Sequence, residues 1–439
     1  MSLQENAIDF IEGCAVRLDS LRYVKAIKAS FVTLMPVIIV GAFSVLISGM
    51  VLEPKNGLTS YPALTFLIDL KPVMTSIYYA TQGFLSIGAV FMVGIELARI
   101  NGNQKLLPGL LAVVCFISVI QTSLPVTLDG HSIIIPDVLA KEFSGSKSLF
   151  LGILIAIFSV EIYCKLESFS WLKIKMPDTV PSNIYDSFTA LIPSVITVLI
   201  VASIGAVFHR LTGVYLYDAI YLLMQKPLES VTQSLWGVML LVVFAQLFWL
   251  IGVHGDQMIL AIRDPLLLGA VMENMDAYGQ GKDAPNVITM PFWDVYMGIG
   301  GSGATIGLII AVLMVTKRKD MREIARLSLG PAIFNINEPV IFGMPIILNP
   351  VLAIPFVITP VVTGTIAYFA TLYGFAGKAV LMVPWTTPPL INAWVSTAGS
   401  MGAVMTQLVC IIISVFIYLP FVKATARKNN SVHLKFNSQ

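Results

Sequence analysis

Between Leu327 and Val422 the chain carries two charged residues, Glu338 and Lys378. So long a stretch with so little charge cannot form a water-exposed surface; it reads as embedded in a membrane. Glu338 sits in Asn335-Ile336-Asn337-Glu338-Pro339, with Gly330-Pro331 before it and Gly343-Met344-Pro345 after it. Those residues forbid an unbroken helix. Irregular backbone at membrane depth survives only where protein buries it or where it lines a water-filled cavity. A carboxylate held there is costly, and such groups mark substrate or ion sites.

The rest of the chain belongs to the same class. Of 439 residues, 56% are hydrophobic and 12% charged, about half the charged share of a soluble domain, and the mean hydropathy is +0.84. A net charge of +2 with scattered basic residues argues against nucleic acid. Cys14, Cys115, Cys164 and Cys410 lie far apart, without the spacing of a metal site or a disulfide framework, so reduced core thiols are expected. Glu5, Asp9 and Glu12 place acids where a signal peptide would be basic and apolar, so anchoring is expected from the spans. No metal or cofactor site is expected.

About 20 apolar residues cross the hydrocarbon. The runs that qualify are 29–52, 72–95, 106–128, 148–164, 187–209, 230–255, 295–316, 351–373 and 401–422. The fourth carries Glu161 near one end. Basic clusters fall at Arg17–Lys28, Arg99–Lys105, Lys165–Lys175, Lys317–Arg326 and from Lys423 onward. The positive-inside rule puts them on the cytoplasmic side, but nine alternating spans cannot. One further crossing between Asp256 and Asp294 restores the parity, and 262–278 is its place despite Glu273 and Asp276. The expected fold class is therefore all-α and polytopic, with about ten transmembrane helices, both termini cytoplasmic, re-entrant segments and an interfacial helix. The interfacial helix is 213–229, carrying Tyr215, Tyr217, Tyr221 and Met224. It separates a five-span half, 1–212, from a second half, 230–430, and 431–439 is a polar tail. Residues 328–349 must enter and leave on one side, as a re-entrant hairpin with Glu338 near its tip.

Candidate site residues gather in the second half. His254 ends an apolar run between Gly252 and Gly255; it is either a structural histidine or, beside a second ionisable group, a functional one. Asp256 and Gln257 either bind a hydroxylated ligand or mark the membrane surface. Glu338 is either a carboxylic acid kept neutral by burial or satisfied by backbone amides, or a group whose pKa burial raises so that it suits acceptance of a hydroxyl proton. Asn335 and Asn337 each offer a donor and an acceptor, as polyol recognition requires. The run Gly298-Ile299-Gly300-Gly301-Ser302-Gly303-Ala304-Thr305 either permits close helix packing or cradles an anion. Pro384-Trp385-Thr386-Thr387-Pro388, with Trp394, either stacks on a sugar ring or belongs to an interfacial aromatic belt.

Taken together, Ile251 to Gly255, Gly300 to Thr305, Phe334 to Pro350 and Pro384-Trp385-Thr386 resemble the membrane-embedded IIC component of bacterial sugar phosphotransferase systems, in the lactose, cellobiose and diacetylchitobiose branch. Met176-Pro177-Asp178-Thr179-Val180-Pro181 and Phe188 to Pro193 are similar to its mid-chain signature. The resemblance runs from Val24 to Val422. It implies a homodimer in the bacterial plasma membrane, with most dimer contacts from the first half and the sugar held by the second half, which has two re-entrant hairpins. It also implies roles: Glu338 and His254 as the catalytic pair at the sugar C6 hydroxyl, with Asn335, Asn337, Gln257, Trp385, Thr386, Gly300, Gly301 and Ser302 around the substrate. Asp256 departs from the small residue expected after His-Gly.

The implied function is permeation of a β-linked disaccharide whose C6 hydroxyl is presented to a phosphorylated cytosolic IIB partner; without IIB no phosphorylation is expected. The rival is a proton- or sodium-coupled secondary sugar transporter, which also builds its site on broken helices. An intramembrane enzyme would need a nucleophile–base pair or metal ligands, and His131, His209 and His433 stand apart from any.

Overall fold

A computed structural model describes residues 21–54, 57–103, 105–128, 131–174, 181–344, 346 and 350–436. The N-terminal acids, Arg17, Cys14, most of the motif at 176–181, Pro345 and Asn349 lie outside the described residues. The expected class holds: apart from one two-stranded hairpin, the described secondary structure is helical. Helices Arg22–Gly49, Pro62–Ile100, Leu149–Ser168, Ile184–Thr212, Val351–Leu372 and Met401–Thr425 are long and apolar enough to cross a membrane, and two bent helix pairs bring the number to eight if each is one span. The ten spans of the sequence analysis exceed that number. Leu107–Val119 is apolar but short, and Gly255–Gly279 carries too many charges to pass as apolar.

That last helix falls where parity demands one further crossing. Its 25 residues span about 37 Å at 1.5 Å per residue, enough for the hydrocarbon. From the sequence this crossing is placed at 262–278 despite Glu273 and Asp276, and the helix also carries Arg263 and Asp264 near its middle. Both side chains are under a tenth accessible and bonded to each other, Arg263 Nη2 to Asp264 Oδ1 at 2.7 Å. Paired charge is tolerable in a dry interior where isolated charge is not.

Three expected segments end differently. The run 106–128 is not one span: the helix stops at Val119, and Ser123–Leu128 pairs antiparallel with His131–Pro136. Asp129-Gly130 between two β-branched runs is a strong hairpin signal that the apolar count overrode. The run 295–316 is broken into a π-turn at Trp293–Met297, a glycine turn, and the helix Ile306–Val315, with a bend of 54°. The basic loop 317–326 is mostly helix, since Lys319–Ile333 begins there. Arg322 Nη1 donates to the carbonyls of Leu313 and Thr316 at 3.0 and 3.2 Å, satisfying the exposed end of the preceding helix.

The chain forms two compact units. In one, residues 20–41 and 76–229, helices Leu85–Ile100, Leu107–Val119, Leu149–Ser168 and Ser182–Thr212 pack on one another. Glu161, the acid of the short fourth run, meets Arg22 at 3.2 Å and accepts from Asn101 Nδ2 at 3.2 Å. Lys105 bridges to Asp186 at 2.9 Å. The segment 213–229 is helical, with Leu216–Ile220, a π-turn at Tyr221–Gln225 and Lys226–Thr232.

The other unit, residues 42–75 and 230 onward among those described, holds every candidate site residue. Its core gathers Leu308, Ile309 and Val312, Met321 and Ala325, Val340 and Ile341, Phe356 and Tyr418. Helices Lys319–Ile333 and Glu338–Gly343 lie against each other in this core, joined by the helix break at 334–337, so Glu338 opens the second arm of a hairpin. Residues 373–400 form another irregular excursion. Val380 and Leu381 donate to the Ser396 carbonyl at 2.8 and 3.0 Å, and Gly377 N to Ser400 Oγ at 2.9 Å.

Helix Leu235–Leu250 ends at a break that leads to His254, the N-cap of Gly255–Gly279. A Cβ on Gly255 would lie 1.7 Å from the Ala245 carbonyl oxygen, and backbone cannot yield there. Gly255→Ala is expected to cost about 3 kcal/mol or more through overpacking. Gly269→Ala, on the same helix with nothing within 4 Å, should be neutral or stabilising by up to about 1 kcal/mol. Thermal unfolding of the two purified variants beside wild type reads the contrast.

Candidate functional site

The two broken helices bring the ionisable pair together. His254 Nε2 lies 3.7 Å from Glu338 Oε1, and their side chains are 39% and 45% accessible. The burial expected of Glu338 is therefore not found: Pro339 at the next position and the helix start at Glu338 leave the carboxylate opening outward. A hydroxyl oxygen set about 2.8 Å from both groups closes a triangle on that 3.7 Å side. In that position a His254 Nε2–H can donate to the oxygen while the hydroxyl donates its proton toward Glu338.

Asn335 and Asn337 are read from the sequence as polyol-facing amides, yet both are buried and their amides hold backbone. Asn335 Nδ2 donates to the carbonyls of Trp385 and Thr387 at 2.6 and 3.1 Å, and Gly300 N donates to Asn335 Oδ1 at 2.9 Å. Asn337 Nδ2 donates to the Ser302 carbonyl at 2.8 Å. These two side chains join the hairpin tip to both other irregular segments. Asn335 takes φ +59°, a left-handed conformation that asparagine tolerates better than most residues.

The glycine run is a turn pressed against this tip. At Gly301, with φ +96°, a Cβ would come within 2.6 Å of Asn337 Cβ and Cγ. Thr305 Oγ1 donates to the Gly300 carbonyl at 2.6 Å. Close backbone approach is thus what the glycines provide. Trp385, whose carbonyl takes Asn335, is 51% accessible; Thr386 is half-buried beside it. Gln257, on the first turn after His254, has its Oε1 buried without a hydrogen-bond partner among the described residues.

Asp256 belongs to neither reading offered by the sequence. Its carboxylate accepts from Ser302 Oγ, from Trp249 Nε1 at 3.3 Å and from Arg263 Nη1 at 3.2 Å. The Trp249 ring in turn lies against the His254 imidazole, 4.3 Å between centroids. Arg263 also sits over the Trp293 ring at 5.0 Å. Sequence reasoning missed Arg263, although Asp256 and Arg263 are seven apart and so share a helix face. Gln407 was missed too: fully buried, its Nε2 donates to the Val295 carbonyl at 2.6 Å and to Asn392 Oδ1 at 2.9 Å. A lone amide in an otherwise apolar span was the available signal.

Polar, partly accessible residues on broken helices of a polytopic membrane protein are an arrangement that solute carriers use. Comparison with known proteins gives the family. A family model described as "Phosphotransferase system, EIIC" matches residues 28–360. The lichenan permease IIC component of Bacillus subtilis is 32% identical, with 93% of this chain and 90% of that protein aligned. The cellobiose-specific EIIC component of Geobacillus stearothermophilus is 31% identical over 94% of this chain and 92% of that one. The crystal structure of the transporter ChbC, the IIC component from the N,N'-diacetylchitobiose-specific phosphotransferase system, superposes with a TM-score of 0.90 at 33% identity, covering 97% of this chain and 98% of that one. The chain belongs to the phosphotransferase system EIIC family, and is a sugar permease component.

Arg263 lies between Asp256 and Asp264 with little solvent, so its removal strands two carboxylates. Arg263→Met is expected to destabilise the protein by about 3–5 kcal/mol. Adding Asp264→Leu should recover part of that loss, because the stranded buried charge goes with it. Thermal unfolding of the single and double variants checks the recovery.

Proposed function

We propose that the chain carries a β-linked disaccharide of the cellobiose or diacetylchitobiose type across the plasma membrane and presents its C6 hydroxyl to a phosphorylated cytosolic IIB partner. The single observation that carries the reading is the 3.7 Å approach of His254 to Glu338 on two helix breaks. The names of the related proteins, cellobiose-specific and N,N'-diacetylchitobiose-specific among them, support the substrate class.

In the proposed reaction His254 orients the hydroxyl and Glu338 takes its proton. The hydroxyl oxygen bonds to phosphorus as the sulfur–phosphorus bond of the IIB phosphocysteine breaks. Such a transfer depends on alignment and charge stabilisation more than on covalent work by the acceptor side. Once Glu338 passes the hydroxyl proton on to water, the sugar phosphate carries its new charge beside a carboxylate, which favours release.

We read the protein as a homodimer with cytoplasmic termini, dimer contacts in residues 1–212 and the sugar site in 230–430. The basic segment near Lys319 supports this orientation more than it supports a IIB docking surface. Arg318 is bonded to Asp320 and holds that carboxyl below its ordinary pKa; Arg326 pairs with Glu323, and Arg322 holds carbonyls. Much of the local charge is thus matched within the chain.

Calorimetry with a disaccharide panel tests the reading. One β-linked disaccharide should bind wild type, and Glu338→Gln and His254→Ala should each weaken it at least about tenfold, about 1.4 kcal/mol. Unchanged binding in both variants contradicts the site. Uptake into vesicles driven by a proton or sodium gradient without IIB would instead establish the ion-coupled rival.

A further inference from the structure

We infer that Asp256 is a positioning residue that sets the geometry of the His254–Glu338 pair. The two members of that pair stand on different helix breaks, and the 3.7 Å between them has no covalent reason to persist. One carboxylate reaches toward both. On the His254 side, Asp256 accepts from Trp249 Nε1 at 3.3 Å, and the Trp249 ring lies 4.3 Å from the imidazole, tilted by 41°. On the Glu338 side, Asp256 accepts from Ser302 Oγ, and the Ser302 carbonyl takes Asn337 Nδ2 at 2.8 Å, one residue before Glu338. Arg263, buried and held by Asp264 at 2.7 Å, fixes Asp256 in turn through a 3.2 Å contact.

The chain of contacts runs from imidazole through indole, carboxylate and Ser302 to the amide of Asn337, the residue next to Glu338. Asp256 is its midpoint. A small apolar residue at this position has no acceptor for Trp249 or Ser302, so a chain with one there must set the pair by other means. This inference rests on reading the pair as the sugar site.

Isothermal titration with cellobiose and with N,N'-diacetylchitobiose separates positioning from a purely structural role, because it gives affinity and stoichiometry independently. Asp256→Ala is expected to raise the Kd about tenfold or more at unchanged stoichiometry. Asp256→Asn keeps one acceptor for Trp249 and Ser302 but turns a donor nitrogen toward Arg263 Nη1, and should raise the Kd by less than Asp256→Ala does. Trp249→Phe removes one donor from a side chain too buried to touch sugar, and should raise the Kd in the same direction. A structural role predicts the opposite pattern for Asp256→Ala: fewer competent molecules, each with wild-type Kd. That pattern, or wild-type Kd in Trp249→Phe, overturns the inference. Should Asp256→Ala fail to fold, Asp256→Asn and Trp249→Phe decide: wild-type Kd in Trp249→Phe again overturns it. His254→Ala in the same series keeps the two claims apart. Retained binding there removes the site itself, whereas lost binding there with unaffected Asp256 and Trp249 variants removes only the positioning role.

Discussion

Backbone that leaves the helix inside a membrane protein must find its hydrogen-bond partners within the chain, since an unmet amide or carbonyl there costs several kcal/mol. Around the His254–Glu338 pair the described chain leaves the helix in four places: before His254, at the glycine turn, at the tip before Glu338 and around Trp385. Buried amides and the partly accessible Asp256 carboxylate link these breaks. Asn335 holds the third to the second and fourth, Asn337 holds the third to the second, and Asp256 holds the first to the second. Gln407 ties the last excursion to the Met401–Phe436 helix by accepting from Leu390 N and donating to Asn392 Oδ1. Regular structure could not place a histidine and a glutamate from distant segments 3.7 Å apart with both still open to a ligand; stapled breaks can.

The class of the fold was legible because one physical rule, apolar length against hydrocarbon thickness, dominates a membrane chain. The rule failed where a second consideration overrode it. It passed over Gly255–Gly279 because it counts Arg263 and Asp264 as two charges, whereas the structure has them as one neutralised pair. It ran the third span through to 128 because Leu124, Val126 and Leu128 are as apolar in a hairpin as in a helix. Parity of the basic loops, a different rule, still required a segment where the long helix lies.

At the site, His254 and Glu338 could be read as partners because each is an ionisable group beside helix-breaking residues. The asparagines beside Glu338 were legible as important but not in their use. An amide serves a sugar or a carbonyl equally well, and only the fold decides which it meets. Trp249 and Arg263 gave less away: a tryptophan in an apolar run and an arginine next to an aspartate have ordinary explanations, and it takes the fold to lay the indole on His254 and to join Arg263 to it through Asp256.

A structure of the protein with its disaccharide bound tests the central claim most directly. The account predicts the sugar C6 hydroxyl within hydrogen-bond distance of both His254 Nε2 and Glu338, with the ring beside Trp385. A sugar bound elsewhere, or one whose C6 hydroxyl points away from this pair, would contradict it.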